Sequence, residues 1–173
     1  DYIDKSYIES KYRMDKNNKV FYHQASTSAE HSSKNTDLVI DSFLSLPGKY
    51  NDYSLVISGQ LTKTQRSKIM SVPRISCFDR LLSKKEIYKI FNRTGCLVSP
   101  SVKEGLGLAY YEANNFNCKI ISTDHEPMND LCDYPCSDFT IEEDEYMFPK
   151  VMVTKDSIVE QMIKYCEDTN GRR

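Results

Sequence analysis

The sequence predicts an α/β domain in which a parallel sheet is flanked by helices. Short apolar runs alternate with segments of helical spacing, and this pattern repeats at least four times. That order is typical of a strand, a crossover helix and the next parallel strand. The length of 173 residues corresponds to about one domain, which is long enough to bury a single sizeable core.

Five short runs rich in β-branched or other apolar residues are the predicted strands. Their composition predicts that all five are buried within the sheet. They are KVFYHQ from Lys19, YSLVISG from Tyr53, RISCF from Arg74, GCLVSP from Gly95 and CKIIST from Cys118.

Helices are predicted between these strands and after the last of them. Apolar stripes that would cover the sheet follow Lys34 and also Ser83, a residue type that favours a helix N-cap. A final helix is expected from about Lys155 to Cys166. In LTKTQRSKIM the basic residues have the spacing of a solvated helix face, whereas the acidic run IEEDEY is expected to be a solvated loop rather than a cation site.

Composition sets limits on partners and compartment. The formal net charge is −2, from 23 basic and 25 acidic residues, so neither nucleic acid nor a membrane surface is expected as an obligatory partner. The six scattered cysteines favour reduced thiols over disulfides, and they lack a second ligand pair for a metal site. No apolar run has the length of a membrane span and the polar start does not resemble a signal peptide, so the expected location is cytoplasmic. Many Lys and Asn residues are consistent with an AT-rich genome, such as that of a large DNA virus or a microbe.

The start of the chain has features of an excised or processed segment. It lacks an initiator Met and begins with a polar stretch. We therefore expect residues 1–18 to be a linker or domain-crossing segment, residues 19–173 to be the folded domain, and an N-terminal part to be missing.

The loop after GCLVSP is the strongest candidate for a functional site. In SPSVKEGLGLAYYEANNF, Glu104 and Glu112 are eight positions apart, and Gly105 and Gly107 lie between them at the start of a predicted helix. In an open parallel sheet, ligands bind beyond the carboxyl ends of the strands. Glycines allow close approach of the backbone, a helix N-terminus favours phosphate, and carboxylates accept hydrogen bonds from sugar hydroxyls. One site could hold a phosphate and a sugar. The alternative is a common turn with solvated glutamates.

The same stretch resembles the Glu-x(7)-Glu signature of retaining glycosyltransferases of the GT-B fold, in particular the family 4 group. The preceding blocks KVFYHQ, SKNTDLVIDSFLSL, YSLVISG, RISCF and SKKEIYKIFNRTGCLVSPS have the order of that family's C-terminal, donor-binding domain. The resemblance covers roughly residues 19 to 131. It implies a Rossmann-like domain that forms one half of the enzyme, with a nucleotide-diphosphate sugar as donor and no cofactor or metal ion.

Site residues follow from the resemblance by position. Glu104 would contact the donor sugar and stabilise positive charge at its anomeric carbon, and Lys34 would neutralise the leaving diphosphate; these are the implied catalytic residues. Glu112 would bind the ribose hydroxyls. The remaining implied substrate contacts are Gly59, Gly105, Leu106, Gly107 and Leu108.

The sequence also departs from the family pattern. ASTSAEHSSK contains no arginine beside Lys34, and Asn117 occupies a position where glycine is common. His125 follows a predicted strand and could face the donor, but a loop histidine bonded to backbone is the favoured interpretation. The acceptor would be recognised by the missing N-terminal domain. A non-catalytic nucleotide-sugar-binding or assembly module is the first alternative, and a flavodoxin-like signalling or cofactor domain is the second.

Overall fold

The computed structural model describes residues 16–27, 32–143, 147 and 149–171. It contains a six-stranded parallel sheet and a separate two-stranded antiparallel sheet. The strands are β1 (Asn17–Gln24), β2 (Ser54–Ser58), β3 (Ile75–Phe78), β4 (Thr94–Ser99), β5 (Lys119–Thr123), β6 (Tyr134–Cys136), β7 (Phe139–Glu143) and β8 (Pro149–Val153). The helices are α1 (Thr36–Leu44), α2 (Lys63–Ile69), α3 (Lys84–Arg93), α4 (Leu108–Asn115) and α5 (Lys155–Asn170).

The parallel sheet has the strand order β3-β2-β1-β4-β5-β6. The chain runs from β1 through β2 to β3 at one edge of the sheet. It then returns to the other side of β1 as β4 and continues through β5 to β6 at the opposite edge. β1 pairs with both β2 and β4, which makes the β1/β4 boundary the topological switch point. In sheets of this kind ligands bind beyond the carboxyl ends of the strands at that boundary. The expected α/β fold with a Rossmann-like parallel sheet is confirmed.

Two apolar layers cover the two faces of the sheet. Successive residues of a strand point to opposite faces, and Phe21 and Tyr22 accordingly belong to different layers. The Phe21 layer is completed by α1 and α5 and the Tyr22 layer by α3 and α4, through apolar residues that include Phe43, Met162 and Phe116. Each layer buries several aromatic rings, so the sheet is held from both sides.

The predicted strands correspond to β1 to β5, with one error in burial. β3 is an edge strand in which only Ile75 is buried, while Ser76, Cys77 and Phe78 are exposed. The prediction that all five strands are buried is therefore wrong for RISCF. A four-residue apolar run has the same composition at the edge of a sheet as in its centre.

Local signals set the helix boundaries. The predicted N-cap Ser83 is confirmed, because its Oγ accepts a hydrogen bond from the Glu86 backbone N–H at 3.4 Å and the Glu86 carboxylate accepts one from the Ser83 N–H at 2.9 Å. The last helix continues to Asn170, four residues beyond the predicted end. Asn117 has φ +53°, so it keeps the left-handed conformation in which glycine is common.

The second sheet was not predicted from the sequence. β7 and β8 pair antiparallel over Phe139–Glu143 and Pro149–Val153, and Ile141 to Glu143 of the acidic run are part of this pairing. The expected loop is thus wrong for those three residues, and the rest of the run lies outside the described residues. The Val151 N–H donates to the Val102 carbonyl at 2.9 Å, which joins the hairpin to the loop after β4.

Residues 1–15 of the predicted linker also lie outside the described residues, and β1 begins at Asn17. The division of the chain at residue 18 stays a prediction. Of the six cysteines, all described as free thiols, Cys96, Cys118, Cys136 and Cys166 are buried and Cys77 is exposed.

Candidate active site

The candidate site lies where the loops after β1 and β4 meet at the switch point. The Val102 N–H donates to the Ser33 carbonyl at 2.8 Å, and the Asn35 side-chain amide donates to the Pro100 carbonyl at 2.7 Å. These bonds attach the short 3₁₀ turn Ser32–Lys34 to the loop that follows β4. Two segments far apart in sequence therefore have a fixed relative position.

Lys34 and Glu104, the two predicted catalytic residues, are brought together. The Lys34 ammonium forms an ion pair with Oε1 of Glu104, and the Ser101 hydroxyl donates to the same oxygen at 2.7 Å. The side chains are 27% and 12% exposed, so the pair is largely enclosed but still in contact with solvent. A cation that could receive phosphate and a carboxylate that could contact a sugar thus neutralise each other here.

A cavity of about 510 Å³ opens beside this pair. Loops after β1, β4 and β5 and the start of β8 form its walls. Its lining residues are Ser33, Lys34, Val102, Lys103, Glu104, Gly105, His125, Glu126, Pro127, Met128, Pro149 and Val151. The volume falls in the range of small-molecule sites, and the mixture of apolar walls with a few polar groups is typical of them.

The two glycines of the loop have different structural roles. Gly107 has φ +57° and is the N-cap of α4, and a Cβ there would lie 2.4 Å from Cδ2 of Tyr110. Gly107 is therefore required by the fold itself. Around Gly105, no atom lies within 4 Å of a Cβ position, so the backbone there has open space in front of it.

Leu106 and Leu108 flank Gly107 and have exposed side chains. Their exposed fractions are 76% and 68%. A contact from either residue to a ligand in the cavity would come from the backbone, because neither side chain lines it. α4 begins in the segment that follows β4, at the carboxyl edge of the sheet, and the first amides of a helix favour an anion.

Glu112 lies on α4 and does not line the cavity that contains Glu104. It is half-buried, and burial raises the pKa of its carboxyl above the usual value, while the charge of Lys84 partly opposes this rise. Its charge also acts on Tyr22 in β1. The structure therefore places the two glutamates on either side of the glycine turn rather than in one cluster.

Gly59 terminates β2 and packs against the loop after β1. Its φ is +113°, and a Cβ would lie 2.7 Å from the Ala25 carbonyl oxygen and 2.9 Å from that of Ser26. Any other residue here would be destabilising, because the positive φ strains an L side chain and its Cβ would clash with these two carbonyl oxygens. The residue supports the loop that leads toward Lys34 and does not line the cavity.

His23 was missed by the sequence analysis. It is fully buried near the end of β1, where Nδ1 donates to the Val98 carbonyl at 2.8 Å and Nε2 accepts from the Thr36 hydroxyl at 3.0 Å. Burial lowers its pKa to about 4, and the charge of Lys34 adds to this effect. The ring connects β1, β4 and the start of α1 beneath the site. The sequence feature that could have indicated His23 is a polar residue at the end of an apolar strand.

His125, for which the sequence favours a loop histidine bonded to backbone, lines the cavity. It is also bonded to backbone as expected, since Nδ1 lies 2.8 Å from the Glu126 carbonyl oxygen. The sequence feature that could have indicated this place in the cavity wall is the position of His125 just after β5, at the same sheet edge as the loop that carries Glu104.

The sequence of the chain matches one protein-family model. The match, to the model described as glycosyl transferases group 1, covers residues 8–134. The chain belongs to the glycosyl transferases group 1 family. No curated protein sequence matches the chain.

Solved glycosyltransferase structures have the same fold. The C-terminal domain of LpcC, a group 1 family protein from Francisella tularensis, superimposes with a TM-score of 0.62 at 18% identity, covering 87% of this chain and 76% of that one. The lipopolysaccharide outer core galactosyltransferase WaaB gives 0.62 at 16% identity, covering 87% and 40%. The pneumococcal O-GlcNAc transferase GtfA, solved with UDP and GlcNAc, gives 0.58 at 15% identity, covering 89% and 29%.

The chain spans different shares of the proteins that it resembles. It spans most of the LpcC domain but less than half of WaaB and GtfA. The fold is that of the C-terminal domain of GT-B glycosyltransferases. Within the described residues, no helix has both the length and the apolar character needed to cross a membrane, and no group of three or more His, Cys, Asp or Glu residues is placed to hold a metal ion.

Proposed function

We propose that this chain is the donor-binding domain of a retaining, family 4-like glycosyltransferase that uses a nucleoside-diphosphate sugar. The observation that carries the proposal is the Lys34–Glu104 pair beside an open glycine backbone and the N-terminus of α4. The sequence resemblance assigns donor contacts to these same positions. The UDP and GlcNAc present with GtfA, which has the same fold, support a nucleotide sugar as the ligand.

The charge on the leaving group determines the role of Lys34 and the nearby backbone amides. When the bond from the anomeric carbon to the phosphate oxygen breaks, its electron pair remains on the diphosphate, and the sugar acquires oxocarbenium character. Lys34 and the amides around Gly105 and Leu108 would stabilise the negative charge that develops on the diphosphate. This electrostatic role needs no metal ion, and we propose that the transfer is metal-independent.

Glu104 acts on the sugar side of the same bond. Donor phosphate would take over the Lys34 ammonium, which releases the carboxylate to accept hydrogen bonds from sugar hydroxyls and to stabilise positive charge at the anomeric carbon. Retention requires the acceptor hydroxyl to attack from the face that the diphosphate leaves. That acceptor would be held by a second, N-terminal domain across the cleft.

Glu112 is proposed to bind the ribose. Its carboxylate is half-buried on α4 and its pKa is raised by burial, which means that the free domain holds it in a poorly solvated place. Two ribose hydroxyls would supply the hydrogen bonds that water no longer provides. Such partial desolvation before ligand arrives is common in binding sites.

The arginine missing beside Lys34 has a candidate substitute. Lys103 lines the same cavity as Lys34 and immediately precedes Glu104. We propose that it is the second positive charge toward the diphosphate or the sugar. The buried free thiols fit a reducing compartment, and the proposed location is therefore cytoplasmic.

Calorimetric titration of the 173-residue chain with UDP, GDP and ADP tests the proposal. We expect one diphosphate to bind, and Lys34→Ala and Glu112→Ala each to weaken binding by about tenfold, the loss of one charged or bidentate contact. Glu142→Ala is the matched control, since Glu142 is an exposed carboxylate on β7. Equal affinity in all variants would contradict the contacts proposed for Lys34 and Glu112, and no binding at millimolar concentration would refute donor binding by this domain.

A non-catalytic nucleotide-sugar-binding or assembly module is the second candidate. The absence of arginine from ASTSAEHSSK favours it, because diphosphate neutralisation during transfer would be weaker. Both candidates bind the donor, so binding does not separate them. Donor hydrolysis or transfer by the chain together with its N-terminal domain would do so, and its complete absence would favour the module.

A further inference from the structure

The loop after β5 adds a polar group to the cavity that contains Lys34 and Glu104. His125 is in the cavity wall, together with Glu126, Pro127 and Met128 from the same loop. The family resemblance assigned no role to this segment. Since ligands bind beyond the carboxyl ends of parallel strands, the end of β5 is well placed to contact whatever lies next to Glu104.

Hydrogen bonds hold this loop in one conformation. The His125 N–H donates to the Thr123 carbonyl at 2.9 Å, and the Met128 N–H donates to the His125 carbonyl at 2.8 Å. The Asp124 carboxylate accepts from the Asn129 amide at 3.3 Å and from the Ser137 hydroxyl at 2.7 Å. The backbone that carries the imidazole is therefore fixed before any ligand binds.

The imidazole ring is oriented as well. Its Nδ1 lies 2.8 Å from the Glu126 carbonyl oxygen, and a carbonyl only accepts, so Nδ1 carries a proton. In the neutral ring this makes Nε2 a hydrogen-bond acceptor. Phe139 contacts the ring edge to face, with centroids 6.2 Å apart and an interplanar angle of 84°. The loop and the hairpin thus determine both the position and the tautomer.

We propose that His125 is a specificity-determining residue whose Nε2 accepts a hydrogen bond from a hydroxyl of the transferred sugar. The inference deepens the proposed function and rests on it. The cavity lining combines apolar side chains, among them Val102, Met128 and Val151, with a smaller number of polar groups. A few polar groups in such a wall fix the orientation of a ligand, and a sugar hydroxyl is the donor that an imidazole acceptor requires.

The test compares a nucleoside diphosphate with its sugar derivative. The ligands are UDP, GDP and ADP, then UDP-glucose, UDP-galactose, UDP-N-acetylglucosamine, GDP-mannose or ADP-glucose, according to which base binds. His125→Phe keeps an aromatic ring but removes the acceptor, and His125→Gln keeps an acceptor. Asp130→Asn is the control, because Asp130 is exposed near the same loop and does not line the cavity.

We expect His125→Phe to bind the nucleoside diphosphate as tightly as the wild type and the nucleotide sugar about three- to tenfold more weakly, the effect of one neutral hydrogen bond. His125→Gln should lose less, and Asp130→Asn nothing. A deoxy-sugar donor that lacks the contacted hydroxyl should no longer distinguish His125→Phe from wild type.

Two results overturn this inference alone. One is unchanged nucleotide-sugar affinity in His125→Phe, and the other is an equal loss for diphosphate and nucleotide sugar, which would show a general disturbance of the loop. If the wild-type chain binds no nucleotide at all, the proposed function fails and this inference fails with it.

Discussion

Substitution of Glu104 by glutamine should change binding and transfer in opposite directions. In the free domain the Lys34 ammonium is held by Glu104, whose oxygen also accepts from Ser101. A diphosphate must displace that carboxylate to reach Lys34. Glu104→Gln leaves the lysine available and removes a negative charge next to the phosphate, so the diphosphate should bind more tightly. Transfer should fall, because the carboxylate that stabilises the anomeric carbon is lost.

The size of the effect follows from how enclosed the pair is. Two unit charges 4 Å apart attract by about 4 kcal/mol at an effective dielectric constant near 20, and desolvation and screening offset most of that energy. Exposed pairs retain roughly 0–1 kcal/mol. Because these side chains are 27% and 12% exposed, we expect about 1 kcal/mol, or roughly fivefold in the Kd of the nucleoside diphosphate.

Calorimetry at low and high ionic strength measures this difference. The fivefold gain should shrink in about 1 M salt, where the screening length falls to about 3 Å. Glu142→Gln makes the same change of charge on the exposed surface of β7 and should leave the Kd unchanged. Diphosphate binding by Glu104→Gln that is equal to or weaker than wild type would refute the idea that the ion pair competes with the ligand.

Three further predictions concern glycines, acid stability and the half-buried carboxylate of Glu112. Gly105→Ala should leave the melting temperature unchanged and weaken diphosphate binding, whereas Gly107→Ala should destabilise the domain by about 1–3 kcal/mol through strain at φ +57° and a clash with Tyr110. Thermal melts and calorimetry distinguish the two effects, and an unchanged melting temperature for Gly107→Ala would contradict its role in the fold. The folded-state pKa of His23 lies below its usual value. Its contribution to the free energy of unfolding is therefore complete above about pH 6.5 and decreases by roughly 3 kcal/mol as the pH falls toward 4. Urea unfolding should show a smaller acid loss for His23→Gln than for wild type, and equal losses would argue against the buried neutral ring. Because burial raises the pKa of Glu112, Glu112→Gln should keep or slightly raise the melting temperature at neutral pH while it weakens diphosphate binding, and a clear fall in melting temperature would contradict this account.

Most of the parallel sheet could be predicted from the sequence because its strands follow a strong local signal. β1, β2, β4 and β5 are apolar runs bounded by turn residues, and Ser83 begins a helix by local hydrogen bonding. The exposure of β3 could not be predicted, because whether a strand is central or at an edge depends on pairing with distant segments. The β7–β8 hairpin was missed for a related reason. Its strands carry charged residues that suggest a loop when no partner strand is known.

The candidate site was predicted in part. The sequence resemblance assigned roles to Lys34 and Glu104, but their ion pair depends on the backbone bond from Val102 to Ser33, which joins segments about seventy positions apart in sequence. The roles of Gly105 and Gly107 differ in a way that only the neighbouring atoms reveal. His125 was set aside because a loop histidine is usually bonded to backbone. The structure shows that such a bond and a place in the cavity wall can occur together.

Amide chemical-shift mapping of the ¹⁵N-labelled 20.0 kDa chain with the preferred nucleoside diphosphate shows which backbone amides hold the ligand. We expect saturable shifts at the amides of Gly105 to Leu108 and around Lys34, with smaller ones on α4 near Glu112. Shifts confined to another face of the sheet, or none at millimolar ligand, would contradict the claim that this loop holds the diphosphate of a sugar donor.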